Sequence, residues 1–124
     1  MKVVSTQNAP AAIGPYSQAL DTGSMVFVSG QIPVDPATGK MADTVEEQAA
    51  QSLSNLKNIL AEAGLSMCNV IKTVVFLADL SDFAAVNAVY EKAFTAPFPA
   101  RSCVQVAGIP KGAKLEIECI AVRP

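Results

Sequence analysis

Thr44-Val45-Glu46-Glu47-Gln48-Ala49-Ala50-Gln51-Ser52-Leu53-Ser54-Asn55-Leu56-Lys57-Asn58-Ile59-Leu60-Ala61-Glu62-Ala63-Gly64, followed five residues later by Val70-Ile71-Lys72-Thr73-Val74-Val75-Phe76-Leu77, decides how this chain folds. The first stretch opens on a capping-box pattern at Thr44 and Glu47, and Gly64 supplies a natural stop. Val45, Ala49, Leu53, Leu56, Leu60 and Ala63 recur between them at helical spacing. The second stretch is β-branched and largely apolar, the pattern of an inner strand with both faces covered. A helix that feeds a buried strand sets the frame, and the remaining elements are read outward from it.

Towards the N-terminus, Val3-Val4, Gln18 to Asp21 and Met25 to Ser29 read as short strands. Thr22-Gly23-Ser24 turns between the last two, which predicts an antiparallel hairpin. Gly30 to Lys40 is rich in turn residues and reads as a loop. Towards the C-terminus a second helix is expected after Ser81-Asp82, with an apolar stripe of Phe83, Val86, Tyr90 and Phe94. Asn87 falls on nearly the same face, so its amide points toward something. Two further strands, Arg101 to Val106 and Lys114 to Val122, are expected to form an antiparallel hairpin through residues 107–113, with a register the loop does not fix. Alternation puts Arg101, Cys103 and Gln105 on one face of the first strand. It puts Glu116 and Glu118 with Ile120 and Val122 on one face of the second. No linker, repeat or charge block interrupts the pattern, so residues 1–124 are expected to be one domain.

Composition narrows the chemistry. The chain is 51% hydrophobic with a mean hydropathy of +0.35, apolar for 124 residues, which predicts that some surface closes against another copy. Its apolar runs are far shorter than the roughly 20 residues a membrane helix needs, and its first residues lack a secretory core; the expectation is a soluble, cytoplasmic protein without membrane contact. Three widely spaced cysteines, Cys68, Cys103 and Cys119, fit neither a disulfide framework nor a cysteine-rich metal site. There is no histidine. That removes the usual general base near neutral pH, the histidine-activated nucleophiles and most zinc sites. A net charge of −2, a pI near 5.0 and scattered lysines leave no electrostatic footprint for nucleic acid.

One charge stands out. Arg101 is one of only two arginines and lies among uncharged neighbours, Phe98-Pro99-Ala100-Arg101-Ser102-Cys103-Val104. Its planar fork of donors matches a carboxylate with two parallel hydrogen bonds, so it calls either for an internal acid, Glu116 or Glu118, or for a bound anion.

Taken together, Gly14-Pro15-Tyr16-Ser17-Gln18-Ala19, Val28-Ser29-Gly30-Gln31-Ile32-Pro33, Val86-Asn87, Pro99-Ala100-Arg101-Ser102-Cys103-Val104 and Leu115-Glu116-Ile117-Glu118 resemble the Rid (YjgF) family, and within it the RidA-like enamine/imine deaminases. The resemblance runs from about Thr6 to Arg123. It implies a chorismate-mutase-like α+β fold, a mixed sheet backed by two helices on one face, assembled as a homotrimer with clefts between subunits. It also implies hydrolysis of 2-aminoacrylate and 2-aminocrotonate, or their imine tautomers 2-iminopropanoate and 2-iminobutanoate, to 2-oxo acids and ammonia, with no cofactor and no metal. On matched positions, Arg101 is implied to clamp the substrate carboxylate and Glu116 to position or activate the attacking water. Cys103 lines the pocket through its backbone, and Tyr16, Ser29 and Asn87 fill its remaining polar positions. Each of these three also has a structural reading: a turn aromatic, a strand-end cap and a satisfied core amide. Two stretches depart from the family pattern, a short Phe94 to Pro99 and a less charged Gly108 to Gly112. Other members have been described as endoribonucleases or translation inhibitors, so RNA cleavage is the enzymatic alternative. A non-catalytic module binding small carboxylates or a protein is the other.

Overall fold

The computed structural model describes residues 1–124. In chain order its elements are β1 (Lys2–Val4), β2 (Ala19–Asp21), β3 (Met25–Gln31), α1 (Val45–Glu62), β4 (Val70–Leu77), α2 (Phe83–Ala93), β5 (Ala100–Gln105) and β6 (Leu115–Val122). The six strands form one mixed sheet in the spatial order β1-β2-β3-β6-β4-β5. All neighbours pair antiparallel except β4 and β5, which run parallel. Both helices pack on one face of this sheet, burying Leu56, Ile59 and Leu60 of α1 and Val86 and Tyr90 of α2 against Val26, Val75, Leu77, Leu115 and Ile117.

The expected C-terminal hairpin does not form. β5 lies at the sheet edge, and β6 inserts on the far side of β4, between it and β3. Leu77 stands level with both Gln105 and Leu115, so the chain leaving β5 only has to step over one strand end to begin β6. The nine residues 106–114 span two strand spacings of about 4.8 Å with ease. Val106 donates its N–H to the Leu77 carbonyl at 2.9 Å and Ala78 donates to Lys114 O at 2.9 Å, pinning the step to the end of β4. The parallel β4–β5 pair is the one that needs a long crossover, and α2 supplies it.

The reading of β4 as covered on both faces also needs correction. Thr73, Val75 and Leu77 are buried against the helices, but Val74 and Phe76 on the other face are only half-buried. That second face carries no helix. It exposes Phe27 of β3 and Val104 of β5, and places Glu116, Glu118 and Ile120 of β6 among them.

α1 starts as read. Thr44 Oγ1 accepts the Glu47 N–H at 3.2 Å and donates its own proton to Glu47 Oε1 at 2.8 Å. Gly64, at φ +76°, turns the chain out of the helix in the conformation that only glycine adopts freely. The buried side of α1 is more polar than its apolar spacing suggested, because Gln48, Ser52 and Asn55 also face inward. Gln48 donates to Ala42 O and accepts from Lys114 N, both at 2.8 Å. Asn55 donates to the carbonyls of Ile32 and Val34 at 3.2 and 3.0 Å. These amides satisfy loop backbone that would otherwise be orphaned under the helix, and they fix the strand exit after Gln31.

The C-terminus is tied back by Arg123, whose Nη2 donates to Asp21 Oδ2 and, at 2.7 Å, to the carbonyl of Ala63 at the end of α1. The Gly23 N–H donates to Asp21 Oδ1 at 2.8 Å, and this bond, with the Arg123 contact, holds the Asp21 carboxyl below its ordinary range. A carboxyl with a depressed folded value adds stability above its unfolded pKa and loses it as pH falls through the folded one. Asp21→Asn should therefore flatten the loss of thermal stability below about pH 4, near the unfolded aspartate value, measured as the melting midpoint of both proteins across acid pH.

Candidate functional site

Arg101 has no acid. Neither Glu116 nor Glu118 pairs with it, because Arg101 stands beside Thr73 on the helix-covered face, whereas both glutamates point to the open one. Its guanidinium is held by α2 instead. Nη1 donates to Asn87 Oδ1 at 2.8 Å, and the guanidinium carbon lies 4.8 Å from the centre of the Tyr90 ring and 5.5 Å from that of Phe83. Phe83, Asn87 and Tyr90 are spaced i, i+4, i+7, one stripe of α2. Asn87 is thus a positioner of the arginine, and the inward-aimed amide of the sequence reading has found its partner. Phe83 departs from that reading: at the first turn, above the sheet edge, it is 40% exposed and no part of the core.

A groove of about 350 Å³ opens over this arginine, lined by Asn87, Tyr90, Glu91, Phe98, Pro99 and Arg101. Cys103 lies two residues on along β5, beside Val75, and packs against the core. Burial pushes its thiol up, more than the Arg101 charge draws it down, so it stays protonated near neutral pH. Cys119, deep under the helices, is pushed up to about 12. Neither is an activated nucleophile.

The second group of residues gathers on the other face. Glu116, level with Phe76 of β4, leans over the backbone of Gly30 in β3. A Cβ built on Gly30 would stand 2.7 Å from the Glu116 carboxyl carbon, so the absent side chain is what lets the acid lie there. Burial raises the Glu116 carboxyl above the ordinary glutamate range, and the charge of Glu118 two residues on raises it further. Ser29 adjoins Gly30 and donates its hydroxyl to Ser17 O at 2.6 Å. Tyr16 is half exposed, its phenol oxygen accepting only a long 3.4 Å bond from Ile13 N. Tyr16, Ser29 and Glu118 border a cavity of about 500 Å³ floored by Leu20, Phe27 and Ile120.

Within one chain, then, the six predicted site residues fall into two sets: Arg101, Asn87 and Cys103 at the β5 edge, and Glu116, Ser29 and Tyr16 over the open face. Gly30 had been read as the start of a loop; it lies inside β3 instead, and a glycine within a strand marks close approach by another group, here Glu116. Gly30→Ala should push the Glu116 carboxylate aside and cost catalysis more than folding, a result seen as lost turnover in a protein whose melting midpoint moves little. No three acidic or thiol side chains cluster as a metal site, and no helix is long and apolar enough to cross a membrane.

Comparison with known proteins assigns the class. Residues 6–123 match the endoribonuclease L-PSP family model, and the chain belongs to that family, to which the Rid/YjgF proteins also belong. It is 61% identical to the 2-iminobutanoate/2-iminopropanoate deaminase of Salmonella typhimurium over 98% of both chains, and 58% identical to the Escherichia coli protein of the same name over the same share. Its fold superposes with a TM-score of 0.97 on the E. coli YjgF gene product, and equally on E. coli TdcF with bound serine, each 56% identical over 100% of both chains.

Proposed function

We propose that this chain is a cofactor-independent deaminase that hydrolyses 2-aminoacrylate and 2-aminocrotonate, as 2-iminopropanoate and 2-iminobutanoate, to 2-oxo acids and ammonia. The observation that carries the reading is Arg101: a guanidinium held in place by an amide and two rings, with no internal acid to neutralise it, is set to receive a small carboxylate. The names of relatives about 60% identical over their full length specify which carboxylates.

In this reading Arg101 grips the substrate carboxylate with two parallel hydrogen bonds and so fixes C2. Glu116, over the Gly30 backbone, holds a water, takes one of its protons and leaves the oxygen to attack C2 of the imine. The carbinolamine that results carries nitrogen and hydroxyl on one carbon; protonation of the nitrogen and collapse of the hydroxyl to a carbonyl expel ammonia. Imines of this kind already react with water, so orientation and one placed carboxylate are adequate, and histidine is not needed.

The reading also requires Arg101 of one subunit to face Glu116 of the next, since one chain places them on opposite faces of its sheet. A homotrimer with three clefts between subunits meets that need. Supporting it is the open face itself: Phe27, Val74, Phe76, Val104 and Ile120 form an apolar surface that no element of the chain covers, the mark of an association surface. RNA cleavage, for which the family is named, gains nothing from an acidic chain with no histidine and no basic patch.

The test is release of 2-oxobutanoate or pyruvate during turnover of a threonine or serine dehydratase. Added protein should speed the appearance of the oxo acid beyond the spontaneous rate. No acceleration with either substrate sinks the activity and leaves a carboxylate-binding module in its place.

A further inference from the structure

We propose that Tyr90 and Phe83 are positioning residues that hold the Arg101 guanidinium by their ring faces, in place of the acid that would ordinarily anchor it, so that its full charge is left for the ligand. The inference rests on the carboxylate-clamp reading and names what makes that clamp work. An arginine fixed by a carboxylate is already half satisfied, and an incoming anion must compete with the internal one. An arginine with no anchor wanders through its rotamers, and ordering it subtracts from binding. A ring face within about 6 Å resolves this conflict, since its quadrupole attracts the cation and fixes its plane without neutralising it. Asn87 adds one neutral acceptor at 2.8 Å, which sets the rotation of the fork.

The two rings are themselves supported unequally. Tyr90 is buried, tilts against Phe94 with centroids 4.7 Å apart, and shares a hydrogen bond of 2.7 Å with Thr73, the residue paired with Arg101 across β4 and β5. Its hydroxyl is therefore spent beneath the sheet, and burial raises its pKa, so the ring stays a neutral phenol that cannot pair with the arginine as an anion. Phe83 is 40% exposed, with little core packing to lose, and its ring stands 5.5 Å from the guanidinium carbon of Arg101. Three elements thus converge: the Arg101–Thr73 register, the Thr73–Tyr90 bond, and the i, i+4, i+7 stripe of α2.

The chain's having only two arginines makes the test direct, because the side-chain N–H spectrum of isotope-labelled arginine contains two Nε signals, Arg101 and the ion-paired Arg123. In the wild type the Arg101 signal should be displaced upfield by ring currents. Phe83→Leu and Tyr90→Leu should each shrink that displacement and weaken binding of 2-oxobutanoate by roughly 3- to 30-fold, while Arg123 stays put. Tyr90→Phe keeps the ring but strands the buried Thr73 hydroxyl, so it should lower the melting midpoint yet preserve both the shift and the affinity. A merely structural tyrosine would let Tyr90→Leu lower the melting midpoint while the Arg101 signal and the affinity stay unmoved. Should Tyr90→Leu fail to fold, Phe83→Leu still decides, since trimming an exposed ring opens no core. An Arg101 signal and an affinity unmoved by Phe83→Leu overturn the proposal. A wild type that shows the expected ring-current pattern but neither binds 2-oxobutanoate nor speeds oxo acid release instead removes the deaminase reading and leaves the aromatic support standing.

Discussion

Arg101→Ala should abolish acceleration of oxo acid release while leaving the protein folded. Two charge-assisted hydrogen bonds to a carboxylate, each worth about 1.5–3 kcal/mol, correspond to a loss of roughly 10²–10⁴ in kcat/KM. Arg101 is only partly buried and has no ion pair to break, so the lost Asn87 bond and ring contacts should cost folding about 1–2 kcal/mol, far too little to account for the loss of activity. Arg101→Lys is the sharper variant. It keeps the charge but replaces a planar fork that lies over two rings with a compact ammonium that cannot bond both carboxylate oxygens in parallel. Its activity should fall closer to the alanine variant than to the wild type. An alanine variant that accelerates release as well as the wild type would show that the carboxylate is gripped elsewhere.

How much of this was legible beforehand differs by element. Local signals survived: the capping pattern at Thr44, the glycine stop at Gly64, the alternation in β5 and β6, and the hairpin turn at Thr22-Gly23-Ser24 stand where the sequence put them, although β3 runs on through Gly30 and Gln31, which had been read as loop. Topology did not. The nine residues between β5 and β6 look like a hairpin loop, and only the tertiary pairing reveals that β4 lies between the two strands. Sequence spacing reports how far a chain can reach, not which strand occupies the gap. The strand that occupies it had been read as fully covered, because Val74 and Phe76, half-buried on the open face, give the same apolar string as residues buried under helices.

The site shows the same division. The residue types proposed for it came from the family resemblance, and the lone arginine stood out on charge alone. The partners were not legible. That Asn87 accepts from Arg101, and that Tyr90 holds the cation while bonding Thr73, follows from α2 crossing beside the β4–β5 edge, a consequence of the topology that was misread. The same error hid the separation of Arg101 from Glu116. A β5–β6 hairpin would have set the two strands side by side; with β4 between them and their side chains on opposite faces, one chain does not bring Arg101 and Glu116 together.

That separation gives the Glu116 prediction its form. Glu116→Gln keeps the shape over Gly30 but cannot take a proton, and should lower kcat by about 10²–10⁴, the usual range for a general base, with carboxylate binding retained because Arg101 is intact. The pH profile supplies a second check. A carboxyl raised by burial and by Glu118 is ionised only above that raised value, so the acid limb of kcat/KM should lie above the ordinary glutamate range of about 4.3. Glu118→Gln removes the neighbouring charge and should move the limb down. The strongest consequence is complementation. Arg101→Ala and Glu116→Gln chains, each nearly inactive alone, should regain activity when unfolded together in equal amounts and refolded. In a cyclic trimer about a quarter of the clefts then pair an intact arginine with an intact glutamate. Recovery toward that fraction, absent when the two proteins are merely mixed as folded species, would place the two groups on different subunits; no recovery would put the whole reaction within one chain and require Glu116 to be replaced as the base.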